Sequence, residues 1–129
     1  MRNLLKRVLP VKSLLAIYFA FCIFSASGQN NCSQMQTQFR SYSDAVRTVE
    51  NTNFKIEEKL NTSRSSWIRG ASFYSCDGIV GYLIIGTDKQ EYIHKNVPIE
   101  IWNGFKRAKS FGSYYNQYIK GRYRLNLEK

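Results

Sequence analysis

The chain has 129 residues, which is room for one small domain. Aromatic residues make up 15% of it and apolar residues 43%, so it can build a core, and a disordered tail is excluded. Cys22 sits in an N-terminal apolar run that reads as removable, and the remaining two cysteines and one histidine are too few for a structural zinc site, while a formal net charge of +10 points toward anionic partners.

Residues 1–28 read as a secretory signal peptide. Arg2, Lys6, Arg7 and Lys12 precede or begin the apolar run from Leu14 to Phe24. Ser25-Ala26-Ser27-Gly28 follows, with small residues at −3 (Ala26) and −1 (Gly28) for a cut before Gln29. The run is shorter than the roughly 20 residues of a membrane span. An uncleaved anchor is the alternative. Neither Cys22, after Phe21, nor Cys32, after Asn31, has the small preceding residue that lipoprotein processing requires. The expectation is a periplasmic or secreted protein, cleaved near Gly28, with no stable membrane span afterwards.

Removal of that segment leaves 15 basic against 9 acidic residues. Residues 29–100 hold 8 of each, whereas 101–129 hold 7 basic residues and only Glu128. The surplus therefore sits at the C-terminal end. Export also makes Cys32 and Cys76 an even pair in an oxidising compartment, and a Cys32–Cys76 disulfide is predicted, with two free thiols as the alternative.

In chain order, residues 29–64 form a polar lead-in. Within it a short helix runs from Ser43 to Glu50, capped by Ser43 or Asp44, with Ala45, Val46 and Val49 on one face. Phe54 to Leu60 alternates weakly and reads as an edge strand carrying Lys55, Glu57 and Lys59. Trp67 to Tyr74 is a strand, and Cys76-Asp77-Gly78 a hairpin turn. Ile79 to Ile85 is apolar on both faces and should be the buried central strand. Glu91 to Lys95 follows as the next strand of a meander.

Pro98 is placed to open a helix as its first residue, with Glu100 in the first turn and Lys106 and Arg107 in the last. Ile101, Trp102, Phe105 and Ala108 make its buried stripe. A second helix starts near Ser110. Phe111, Tyr114, Tyr115, Tyr118 and Ile119 recur at helical spacing, and Gly121 ends it. The expected fold is α+β: an antiparallel meander of three to four strands packed on one face by two C-terminal helices, plus a short N-terminal helix.

Several fixed spacings in this half agree at once. They are Ser65-Ser66-Trp67-Ile68, Glu91-Tyr92-Ile93-His94, Val97-Pro98, Ala108-Lys109-Ser110-Phe111-Gly112, Tyr114-Tyr115-Asn116 and Ile119-Lys120-Gly121-Arg122-Tyr123. Residues 65–124 thereby resemble the KTSC domain, a small module named for its occurrence at the C-terminus of some lysyl-tRNA synthetases. It is also found alone in bacterial proteins. The resemblance implies a bacterial source and, from the synthetase context, RNA binding. The family shows Tyr-x-Tyr in the strand where this chain has Tyr92 and His94, so half of that tyrosine pair is replaced.

The residues favour binding over catalysis. Lys106, Arg107, Lys109, Lys120, Arg122 and Arg124 are candidate anion ligands, and Tyr92, Tyr115 and Tyr123 candidate stacking platforms. Against this, tyrosines at helical spacing serve a core, and cations at helix C-termini satisfy the dipole without any ligand. The partner expected is a polyanion, either nucleic acid or envelope polysaccharide. A protein–protein module of the cell envelope is the alternative. An enzyme built on His94 is the weakest reading, because nothing fixes Ser110, Ser113 or Asp88 near it. No cofactor or metal site is expected.

Overall fold

The computed structural model describes residues 31–129, so the predicted signal peptide lies outside the described residues. Four strands form one antiparallel sheet in the order β1-β2-β3-β4: β1 (Ile56–Leu60), β2 (Ile68–Ser75), β3 (Val80–Thr87) and β4 (Glu91–Pro98). Three helices accompany them: α1 (Tyr42–Glu50), α2 (Ile99–Arg107) and α3 (Phe111–Tyr114). The last runs directly into a π-helical turn, Tyr115–Ile119. The class is α+β, as the sequence implies.

The two C-terminal helices cover one face of the sheet, as expected from the sequence, and α1 covers the other. The central strand explains why. Residues Gly81 to Ile85 of β3 are all buried, so both faces of the sheet need a cover. Leu83 and Ile85 pack with Phe73, Trp102, Phe105, Tyr115 and Ile119 beneath α2 and α3. Tyr82 and Ile84 pack with Phe39, Ala45, Val49 and Leu125 on the α1 side. The lead-in thus supplies the second cover and, as β1, an edge of the sheet.

Local chemistry sets the boundaries. The cap of α1 is Ser41, not Ser43 or Asp44. Its hydroxyl accepts the Asp44 N–H at 3.1 Å, while the Asp44 carboxylate accepts the Arg40 N–H at 3.2 Å. At the β2–β3 turn, Asp77 accepts the N–H groups of Ile79 and Val80 at 2.8 and 3.1 Å. Ile79 is consequently a turn residue, 65% exposed, and β3 begins one residue later than predicted. The disulfide joins Cys32 to Cys76 beside this turn, with the Cα atoms 5.8 Å apart.

β4 runs three residues beyond the predicted Lys95. Its pairing steps from Leu83↔His94 to Gly81↔Val97, which sets three β4 steps against two in β3. Asn96 absorbs the extra residue at φ 57°, a left-handed conformation that asparagine tolerates. Pro98 closes this strand with ψ 145° and is not the first helical residue, so α2 starts at Ile99. Within α2, Trp102 and Phe105 are fully buried and Ile101 is half-buried, while Ala108, expected in the same stripe, is the half-buried, extended residue that ends the helix.

The π turn changes the second predicted stripe. Lys120 N–H reaches back five residues to the Tyr115 carbonyl at 2.9 Å. Phe111, Tyr115 and Ile119 remain buried, Tyr114 is half-buried, and Tyr118 is turned out to 41% exposure. Gly121, at φ 77°, ends the segment where the sequence places the stop. No helix among the described residues is long and apolar enough to cross a membrane.

Candidate anion-binding trough

The six predicted cations do not form one cluster. Lys106 lies 2.8 Å from a Glu58 carboxylate oxygen and 5.5 Å from the Trp102 ring centre. The same Glu58 oxygen accepts the Trp102 indole N–H at 2.7 Å. The Lys106 ammonium and the Trp102 hydrogen bond hold the Glu58 carboxyl below the usual carboxylate range. Lys106 is therefore a strut between α2 and β1. Arg107 and Arg122 are exposed and line none of the hollows described below.

Lys109, Lys120 and Arg124 are brought onto one side of the molecule. Three hollows adjoin there through shared walls. The middle one is lined by Trp67, Lys89, Tyr92, Tyr115, Asn116 and Lys120, together with Thr87 and Asp88. Trp67 and Asn116 also line a neighbour carrying Arg64 and Lys109. Tyr92, Tyr115 and Lys120 also line the other neighbour, which carries Tyr42, His94 and Arg124. Together they make a trough running from the α2–α3 loop along α3 to β4.

Its aromatic wall is positioned by packing. Trp67 lies on Gly112, where a Cβ would stand 2.4 Å from the indole Nε1, and it meets Tyr115 edge-on at 5.7 Å. Tyr115 in turn meets His94 edge-on at 5.5 Å. Tyr115 is only 6% exposed, whereas Tyr92 is 39% exposed with a face available to a ligand. Tyr123 is half-buried against the core and lines none of the three hollows. Of the three tyrosines predicted to stack, Tyr92 is thus the best presented.

Sequence reasoning missed Arg64 and Lys89 as trough cations, and Trp67 as the third platform beside Tyr92 and Tyr115. Arg64 donates to the Ala108 and Lys109 carbonyls and lies 3.7 Å above the Phe111 ring centre. Its role depends on carbonyls 44 and 45 residues away, for which the sequence holds no local signal. Trp67 was visible as a residue of the entry block but not as a wall. Two carboxylates temper the positive charge: Asp88, held 2.9 Å from Arg69, and the exposed Glu91.

His94 is 8% exposed, and its Nε2 meets no hydrogen-bonding partner among the described residues. Burial pushes its pKa down to about 4, against the opposing pull of a backbone hydrogen bond with Tyr123. The imidazole is neutral at pH 7. Asp88 is engaged by Arg69, and Ser110 and Ser113 bond each other at 3.0 Å, so none of them is joined to His94.

Residues 86–123 match the sequence model of the KTSC domain. No curated protein and no solved structure matches the chain. The matched stretch holds Lys89, Tyr92, Tyr115 and Lys120 of the trough, while Arg64 and Trp67 precede it. The match to the KTSC domain runs from the end of β3 to Tyr123, 38 of the 129 residues.

Proposed function

We propose that the protein is an exported, non-enzymatic binding domain that holds an extended polyanion, nucleic acid or envelope polysaccharide, in the trough. The supporting observation is that Trp67 and Tyr92 share the hollow that contains Lys89 and Lys120. Rings stack on aromatic faces while cations track a charged backbone, and together these bind a single strand without demanding sequence. Export rests on the leader pattern and disfavours an intracellular tRNA, so RNA serves here as a probe and not as the assigned partner.

The test is a pair of binding isotherms, one with mixed-sequence single-stranded RNA and one with an anionic polysaccharide, each repeated over a range of salt concentrations. Tighter RNA binding that falls steeply with salt assigns the stacking platforms a role. Equal binding to both reduces the trough to a general polyanion surface. Absence of binding to either at about 0.15 M salt, where exposed charges are screened beyond about 8 Å, contradicts the proposal.

A further inference from the structure

The sheet ends at β4, and the outer side of that strand is only partly used. Two hydrogen bonds fix which backbone groups face outward. At one end, Thr87 N–H donates to the Gln90 carbonyl at 3.0 Å, so Gln90 faces β3. At the other end, Lys95 N–H donates to the Tyr123 carbonyl at 3.2 Å, away from the sheet. Between these anchors the register is unbroken, from Gly86↔Glu91 to Leu83↔His94. Backbone direction alternates along a strand, and both anchors give the same phase: Glu91, Ile93 and Lys95 face outward.

Tyr123 satisfies Lys95. Among the described residues, no backbone group meets Glu91 or Ile93. These two residues open onto a hollow of about 430 Å³. Tyr42 of α1, Tyr92, Lys120 and Arg124 contribute to its walls, so two cations face it against the single carboxylate of Glu91. An edge with unpaired N–H and C=O groups is a template for one more strand.

We propose that the outer edge of β4 at Glu91 and Ile93 docks an extended acidic segment of a partner protein. The segment continues the pairing that Tyr123 begins at Lys95 and sets its carboxylates against Lys120 and Arg124. A polynucleotide or a polysaccharide has no alternating amide ladder with which to meet these groups. A second copy of this chain would compete for the same edge only in a register that avoids Lys95, and it would lack the run of carboxylates that Lys120 and Arg124 favour. Antiparallel β4–β4 pairing centred on Ile93 would set Glu91 of one copy against Lys95 of the other, and the Tyr123 backbone already stands at Lys95. The proposal rests on the open edge and not on the polyanion reading, although the shared residues Tyr92 and Lys120 make the two ligands compete.

The test uses protein expressed from the full sequence with its disulfide formed. One probe is an acetylated hexapeptide of alternating valine and glutamate, and the other is the same peptide N-methylated at every second residue. The unmodified peptide should bind at least about tenfold more tightly and slow amide exchange at Glu91 and Ile93, because methylation removes donors and keeps the charge. Glu91→Pro should abolish the difference, since a proline is tolerated where the strand N–H faces outward. Should that variant fail to fold, the two peptides on the unaltered protein carry the test. Equal binding of both peptides overturns the proposal, as does protection of the same amides by self-association without peptide. Loss of peptide binding with RNA binding intact overturns it while leaving the polyanion reading standing.

Discussion

The Lys106 ammonium lies 2.8 Å from the Glu58 carboxylate, and that pairing removes from the binding face a cation the sequence placed on it. Lys106→Ala should lower stability by about 0.5–1 kcal/mol, since both side chains are partly exposed and the pair is screened. It should leave RNA affinity unchanged. Chemical denaturation beside a binding isotherm checks both parts, and a large affinity loss would return Lys106 to the ligand-binding set.

The acid side of the stability curve carries two signatures. Lys106 and Trp102 lower the Glu58 pKa from its ordinary value of 4.5, so the stabilisation is complete above that value. It is lost as pH falls through the lower folded pKa. Glu58→Gln should therefore cost stability at neutral pH and approach the parent once the pH is below the lowered folded pKa, as read by urea melts across pH.

His94 acts in a higher window. Its folded pKa of about 4 lies below the ordinary 6.5, so the unfolded chain binds the proton more readily between those values. Stability should fall as pH drops from about 6.5 toward 4, by on the order of 3 kcal/mol at most. His94→Phe should flatten that stretch of the curve. An unchanged slope would show that the imidazole is hydrated in the folded protein.

The elements that the sequence revealed are those set by local pattern. The run from Ile79 to Ile85 announced a strand buried on both faces, and Pro98 before an apolar stripe announced a helix. The same run needs two covering layers, but the sequence pattern sets only the two C-terminal helices against the sheet and leaves the short helix near Ser43 without a face. Less legible was anything that depends on distant partners. The π turn moves Tyr118 out of its expected stripe, and no residue type within 115–119 requires it. Arg64 looks like a loop cation until the Ala108 and Lys109 carbonyls are placed beside it.

The disulfide closes a loop with a sequence separation of 44 residues. The chain-entropy estimate for a loop of that size is about 4 kcal/mol. Cys32→Ser with Cys76→Ser should lower the unfolding free energy by an amount of that order. A loss under about 1 kcal/mol in urea denaturation would mean that the ends of the loop are held near each other without the bond.

Gly112 leaves room for the Trp67 indole. Gly112→Ala sets a methyl group 2.4 Å from Nε1, so the ring must move. The expected cost is about 1–3 kcal/mol, with a change in tryptophan emission and weaker RNA binding. Unaltered emission and affinity would show that Trp67 is not a fixed wall of the trough.

The most direct measurement compares two double variants by the slope of log affinity for single-stranded RNA against log salt. Lys120→Ala with Arg124→Ala removes two trough cations, and Arg107→Ala with Arg122→Ala removes two cations from outside it. A single strand contributes about 0.7 to the slope per neutralised phosphate. The trough pair should therefore flatten the slope by about 1.4 and weaken binding, while the outer pair should leave both near the parent. Equal effects from the two pairs would mean that net charge alone binds RNA, and the trough would lose its role.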